Sequence, residues 1–202
     1  MKRIVFAAAV IAPLAVAHAQ DTKVRQHGPH VHGHGTLDIA IEGQRVSMKL
    51  EVPGADIVGF EHVAKSKKDK AAVTAARKKL SSPLALFVLP KDAGCKLTKA
   101  SVEVEAHVVE KEEKKKDGHS HGHGHAEKKG HSHDHDEERH AEFHATYELA
   151  CMEPAKLATI TFKFFDTFKR SKELEVKLIA PKGQSKYEAT PKNKTITLKG
   201  VS

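Results

Sequence analysis

The sequence predicts an α+β protein, mainly β, built as two pseudo-repeated β-β-(α)-β-β halves of antiparallel strands joined by a disordered His-rich insert. Three observations carry this expectation. Several short segments alternate apolar and polar residues with period two, the pattern of strands with one buried face. One segment, 66–80, carries a helix start followed by an apolar stripe at helical spacing. Between Lys111 and Arg139 there is no Val, Ile, Leu, Phe, Tyr or Trp, so nothing in that stretch can enter a core.

The elements follow in order. Lys2 and Arg3 form a positive start, Ile4 to Val16 an apolar run, and Ala17-His18-Ala19 a small-x-small cleavage site before Gln20. The run is too short to cross a bilayer, no later segment comes near the needed length, and no Cys follows for a lipid anchor. Residues 1–19 therefore read as a signal peptide. The mature chain is expected to be exported, soluble and periplasmic, with no membrane insertion after cleavage.

The first half spans 20–110. Leu37, Ile39 and Ile41 alternate with polar or small neighbours, as do Val46, Met48, Leu50 and Val52, and Gly43 marks the hairpin between them. Pro53-Gly54 ends the second strand. Ser66 and Asp69 have capping-box spacing, Val73, Ala76 and Leu80 give the helix its apolar stripe, and Pro83 stops it. Strands are expected near Leu84–Leu89 and Leu97–Val109. The second half, 140–202, shows alternation at Phe143–Leu149, Ile160–Phe164 and Leu174–Leu178, with a last strand at Ile196 and Leu198. The stretch LALFVLPKDAGCKLTKASVEV has the same strand, Pro-Lys turn, strand layout as LEVKLIAPKGQSKYEATPKNKTITL, which suggests duplication.

Cys95 and Cys151 flank the His-rich insert. An even count in an exported chain favours a disulfide over two buried thiols or a Cys-metal site. The net charge of +8, less the charges of Lys2 and Arg3, comes from lysines spread among acids without interleaved aromatics. That reads as solvated surface, and nucleic acid is not an expected partner.

The insert, 111–139, carries His119, His121, His123, His125, His131, His133 and His135, two apart within each cluster, with Asp134 and Asp136 interleaved. Imidazole is the commonest protein ligand for Zn, Cu and Ni, and a solvated linker has no reason to repeat it. Outside the insert, His30, His32 and His34 lie two apart before the first strand and would share a face of an extended chain. Glu61-His62 closes the segment GADIVGFEH. His107 shares a polar strand face with Glu103 and Glu105, and His140 and His144 share one with Glu142 and Glu148. Simple solvation would also account for His107, and a turn hydrogen bond for His62. Mixed His and carboxylate donors suit Zn(II). Soft sulfur is scarce, with only Met48 and Met152 beyond the leader against 16 histidines in all, which argues against Cu(I) but leaves Ni and Cu(II) open.

Catalytic motifs are missing. HAEFH at 140–144 has Ala141 where a zincin helix needs Glu, and it reads as strand. No nucleophile elbow or phosphate loop occurs. The chain is expected to bind rather than catalyse.

The leader HGPHVHGHGTLDIAIEG, the segment PGADIVGFEH, the pair Gly94-Cys95, the central His-rich insert and HAEFHATYELAC resemble the ZrgA-type zinc-regulated periplasmic proteins of Gram-negative bacteria. The resemblance covers essentially the whole mature chain. It implies a β-rich fold of two pseudo-symmetric halves and a zinc-binding protein that assists uptake through an ABC-type importer. The partner would be that importer's solute-binding protein or permease. The implied functional residues are the leader histidines, Glu61-His62 and the insert histidines. A passive metal buffer or detoxifier without a dedicated acceptor is the competing function.

Ordering the insert would cost about 1–2 kcal/mol per residue with no apolar burial to offset it. Deleting 111–139 should therefore leave the thermal midpoint within a few degrees. Loss of the cooperative melt on deletion would place the segment in the core.

Overall fold

The computed structural model describes residues 32–108 and 139–198. The elements are β1 (His34–Glu42), β2 (Arg45–Pro53), α1 (Gly54–Ile57), α2 (Lys67–Leu80), α3 (Pro83–Leu86), β3 (Phe87–Val88) and β4 (Cys95–Val108). After the insert come β5 (Arg139–Cys151), β6 (Thr159–Phe162), α4 (Phe164–Thr167), β7 (Glu173–Ala180), β8 (Gly183–Ala189) and β9 (Thr195–Thr197). They form a six-stranded sheet in the order β4-β5-β2-β1-β7-β8 and a three-stranded sheet in the order β3-β6-β9. The protein is mainly β with two sheets, as the alternating segments predict.

β1, β2, β5 and β7 bury alternate residues along most of their length. Leu37, Ile39 and Ile41 on β1, Val46, Met48 and Leu50 on β2, Phe143, Ala145, Tyr147 and Leu149 on β5, and Leu174, Val176 and Leu178 on β7 all lie in the core. The other face of the sheet carries acids, lysines and histidines. The buried face meets the aromatic cluster of the small sheet and α4: Phe87 lies 5.7 Å from Phe162, 5.9 Å from Phe164 and 6.4 Å from Tyr147, centroid to centroid. Burying each such side chain contributes about 1.5–3 kcal/mol.

The helix start read from the sequence is present. The Asp69 N–H donates to Ser66 Oγ at 3.0 Å and the Ser66 N–H donates to Asp69 Oδ2 at 3.3 Å, a reciprocal capping box. Ala76 and Leu80 are buried beneath α2. On its outer side the Arg77 guanidinium donates to the Val102 carbonyl at 2.7 Å, tying the helix to β4.

Four expectations need correction. The strand expected at Leu84–Leu89 shrinks to Phe87–Val88, because Pro83 suits the first turn of a helix and starts α3. The alternation at Ile160–Phe164 breaks at Phe164, where α4 begins. Phe164, Phe165 and Phe168 are all buried, whereas a continued strand would send Phe165 and Phe168 to opposite faces. β8 is a strand the alternation did not reveal, because at this sheet edge Ala189 is its one buried residue. Finally, the strands are not all antiparallel: β1 and β7 pair in parallel from His34↔Glu173 to Ala40↔Ile179. The chain reaches that pairing by leaving the large sheet after β5, adding β6 to the small one and returning.

Strands from both sides of the insert share both sheets, since β5 lies between β4 and β2, and β3 pairs with β6. Neither half has a sheet of its own.

Cys95 and Cys151 face each other across β4 and β5 and are bonded, 56 residues apart in sequence. Closing a loop of that length stabilises by about 4 kcal/mol in the chain-entropy treatment. Nonreduced peptide mapping should recover the two cysteines linked. Replacing both by Ser should lower unfolding stability by about 2–4 kcal/mol in urea melts, and an unmoved midpoint would show that the link carries no load.

Candidate metal centre

The pairing pattern gathers several chain ends at one end of the large sheet. β2 runs antiparallel to β1 and to β5, β4 antiparallel to β5, and β7 parallel to β1. The starts of β1, β5 and β7 therefore lie beside the ends of β2 and β4. β2 stops at Pro53, opposite Glu142, while β5 extends on to Arg139. Past that point the β2 side of β5 needs another acceptor, and the Ala141 N–H donates to the Glu61 carbonyl at 2.6 Å. The turn that carries Glu61 there is tight. A Cβ on Gly54 would sit 2.7 Å from both the Ala141 and the Phe60 carbonyl oxygens, so only glycine fits.

This docking sets the Glu61 side chain between two imidazoles. His32 Nε2 lies 3.0 Å from Glu61 Oε1, and His140 Nδ1 contacts Glu61 Oε2. The side chains are 65%, 11% and 33% exposed for His32, Glu61 and His140, so a nearly buried carboxylate is flanked by one open and one half-buried ring. Donor atoms of the three residues all lie within 4.8 Å of one another. Glu61 Oε1 is buried and accepts no hydrogen bond among the described residues. Its described polar neighbour is His32 Nε2, a nitrogen facing an oxygen without a hydrogen bond between them. An apolar cavity of about 210 Å³, lined by Val58, Phe60, His62, Val73, Val104 and Phe143 among others, borders the same turn.

His32 reaches Glu61 because Gly33 is held in place. The Gly33 N–H donates to Asp56 Oδ1 at 2.9 Å and Oδ2 at 3.0 Å, and the Gly33 carbonyl accepts from the Lys172 N–H at 2.7 Å and the Glu173 N–H at 2.9 Å. Asp56 is buried in α1, and that burial pushes its carboxyl above the usual carboxylate value, with the Gly33 N–H pulling the other way. Sequence reasoning missed Asp56, which sits in the quoted segment GADIVGFEH as one acid among apolar residues.

Of the residues singled out from the sequence, the fold brings together His32, Glu61 and His140. His34 is the first residue of β1, with Nδ1 3.4 Å from Glu173 Oε2 of the neighbouring β7. His62 is exposed, stacks on Phe60 at 4.6 Å and places Nδ1 3.1 Å from the Val63 carbonyl. That is the turn contact considered for it. His144 points into a group of carboxylates: Nε2 is 2.9 Å from Glu142 and 3.9 Å from Glu105, and Nδ1 is 3.7 Å from Glu51. Hydrogen bonding to Glu142 first, then to Glu51, raises its pKa from 6.5 to about 10, so the ring is an imidazolium at neutral pH. His107 is the register partner of His140 across β4 and β5, while its side chain lies outside the described residues. His30 and the insert histidines from His119 to His135 also lie outside them.

Two imidazoles sharing the two oxygens of one buried carboxylate form a nitrogen- and oxygen-donor set of the kind that binds a divalent transition metal. Residues 29–198 match the ZrgA family, described as zinc uptake proteins, and the chain belongs to that family. No curated protein matches the chain.

Charged His144 has a stabilising role that depends on pH. Its folded pKa lies above the ordinary imidazole value, so the contribution is complete below about 6.5 and is lost as pH rises towards about 10. Replacing His144 by Gln should cost about 3 kcal/mol at pH 7, the low end for breaking a buried ion pair. The deficit should shrink as the pH approaches 10. Urea melts of both proteins across that range test this, and a constant deficit would exclude a role for the charge.

Proposed function

We propose that the protein is a periplasmic zinc-binding accessory protein that captures Zn(II) at His32, Glu61 and His140 and supports its uptake through an ABC-type importer. The carrying observation is the convergence of two histidines from distant segments on one nearly buried carboxylate, in a chain of a zinc uptake family. Zinc favours four tetrahedral donors, and three protein groups leave one position for water or a donor from elsewhere. His107, in register with His140, is the in-chain candidate for that position. The exposed side at His32 gives an ion a way in and out, as suits a carried ion better than a structural one.

The leader and the export route rest on the sequence, as does the choice of binder over enzyme. The two flanking halves read as diverged copies, each supplying one imidazole at a strand entry: His32 before β1 and His140 at the start of β5. The insert between them reads, from its composition, as a collector of ions. Val108 and Arg139, which flank the insert, pair across β4 and β5 at the end of the sheet that holds the site. Its histidines would therefore load ions weakly and at high local concentration beside a preorganised site that binds more tightly. The acceptor in this reading is the solute-binding protein or permease of the importer. Ni and Cu(II) would compete on intrinsic affinity, so availability selects zinc.

A zinc titration against a competing chelator tests the reading. Changing His32 and His140 to Ala in the full chain should weaken the tightest site by more than about 100-fold, beyond the loss typical of outer-shell changes, while weaker binding persists. Deleting 111–139 should do the reverse, sparing one tight site. A tightest site untouched by the paired substitution would rule out this centre. Expression repressed by added zinc supports uptake, whereas induction by excess metal supports the buffering alternative.

A further inference from the structure

His32 is the weakly anchored member of the set. Its side chain is 65% exposed, and its position relative to Glu61 depends on the backbone that follows it. That backbone is held from two sides. On one, both oxygens of Asp56 receive the Gly33 N–H, at 2.9 and 3.0 Å. On the other, the first amides of the β7 region, Lys172 and Glu173, donate to the Gly33 carbonyl at 2.7 and 2.9 Å. Gly33 itself has φ +90°, and a Cβ there would meet Lys172 Cγ at 2.8 Å, so the conformation and the close approach both require glycine.

Asp56 is 3% exposed, and a carboxylate is costly to bury. Its described hydrogen-bond partner is not a side chain but the peptide joining His32 to Gly33. A neutral acceptor would have satisfied that one N–H. Burying a carboxylate for it makes sense if the position of the peptide matters to something beyond the fold of the turn.

We propose that Asp56 is a positioning residue of the metal centre, acting through the Gly33 peptide to hold His32 over Glu61. This rests on the reading of His32, Glu61 and His140 as ligands. The clasp fixes the backbone before the ion arrives, so binding orders only the two side-chain torsions of His32. The clasp and the ligand are consecutive in the chain, which makes their effects on affinity inseparable.

The test is a set of zinc titrations of the full chain against a competing chelator, run as double-mutant cycles with His32→Ala. Asp56→Ala should weaken the tightest site by about 10- to 100-fold, the range for lost outer-shell support. Asp56→Asn, which keeps an acceptor oxygen of the same shape, should recover most of that loss. Gly33→Ala attacks the same peptide from the β7 side and should weaken binding comparably, and it carries the cycle if Asp56→Ala does not fold. In the His32→Ala background none of these changes should weaken binding further. Equal losses with and without His32 would overturn the clasp while leaving the ligand set intact. An Asn variant as weak as the Ala variant would overturn positioning in favour of charge. A His32→Ala protein that binds zinc as the parent does would overturn the ligand reading, and the clasp with it.

Discussion

A backbone N–H on the open side of a strand must find an acceptor, and at Ala141 that requirement organises the whole end of the sheet. β5 runs past the end of β2, so the turn after Pro53 has to come back far enough to offer the Glu61 carbonyl. Gly54 makes the return possible by letting two carbonyl oxygens approach where a side chain would stand. Once the Glu61 backbone is pinned beside Ala141, its side chain has little choice but to meet His140, the next residue along β5. His32 comes from the other direction, off the start of β1, and the Gly33 contacts stop it within reach. The site is thus assembled by main-chain hydrogen bonds, and the three side chains inherit their positions.

The same topology gives two histidines on one strand face opposite characters. His140 and His144 are four residues apart on β5, roughly 13 Å along a strand, so they cannot share an ion. Around His144 the register places Glu51 on β2 and Glu103 on β4, Glu142 lies two residues back on β5 itself and Glu105 is nearby, so acids outnumber the ring. The surplus of carboxylate keeps a proton on it to about pH 10, which makes it a fixed cation and a poor ligand. At the sheet end the ratio is reversed, with two rings to one carboxylate. Local counts of acid against imidazole, set by strand register, separate a structural histidine from a candidate ligand.

Much of this was legible in the sequence because period two and capping spacing are local. The strands of the large sheet other than β8 and the Ser66 box follow from residues close together in the chain, the candidate status of His32, Glu61 and His140 from residue type and local spacing, and the Cys95–Cys151 pair from an even cysteine count in a chain read as exported. The sequence could not separate His32 from His34, because their different surroundings depend on a positive φ at Gly33 and on contacts from β7. Strand direction left no trace in the alternation, so the parallel β1–β7 pair was invisible. β8 was invisible for a related reason: an edge strand with one buried residue has no apolar period. Asp56 could have been flagged, since a lone acid in GADIV, between a turn and apolar residues, must be either solvated or partnered.

The exposure gradient across the three donors bears on how a zinc ion would exchange. Glu61 is nearly buried with its backbone bonded to Ala141, and His140 is half-buried on the stretch of β5 that pairs with β4, so both are more confined than His32. His32 is open to solvent, and among the described residues Asp56 and the Lys172 and Glu173 amides hold its segment through Gly33. In the zinc reading an incoming donor would therefore displace His32 first, leaving the ion on Glu61 and His140 until a second donor arrives. Stepwise replacement avoids a bare ion at any stage, and its barrier is set by the hold on His32. A looser clasp would speed release at the expense of affinity, and a tighter one would turn a carrier into a store. In that reading, the strength of one buried carboxylate's grip on one peptide would tune the site between capture and delivery.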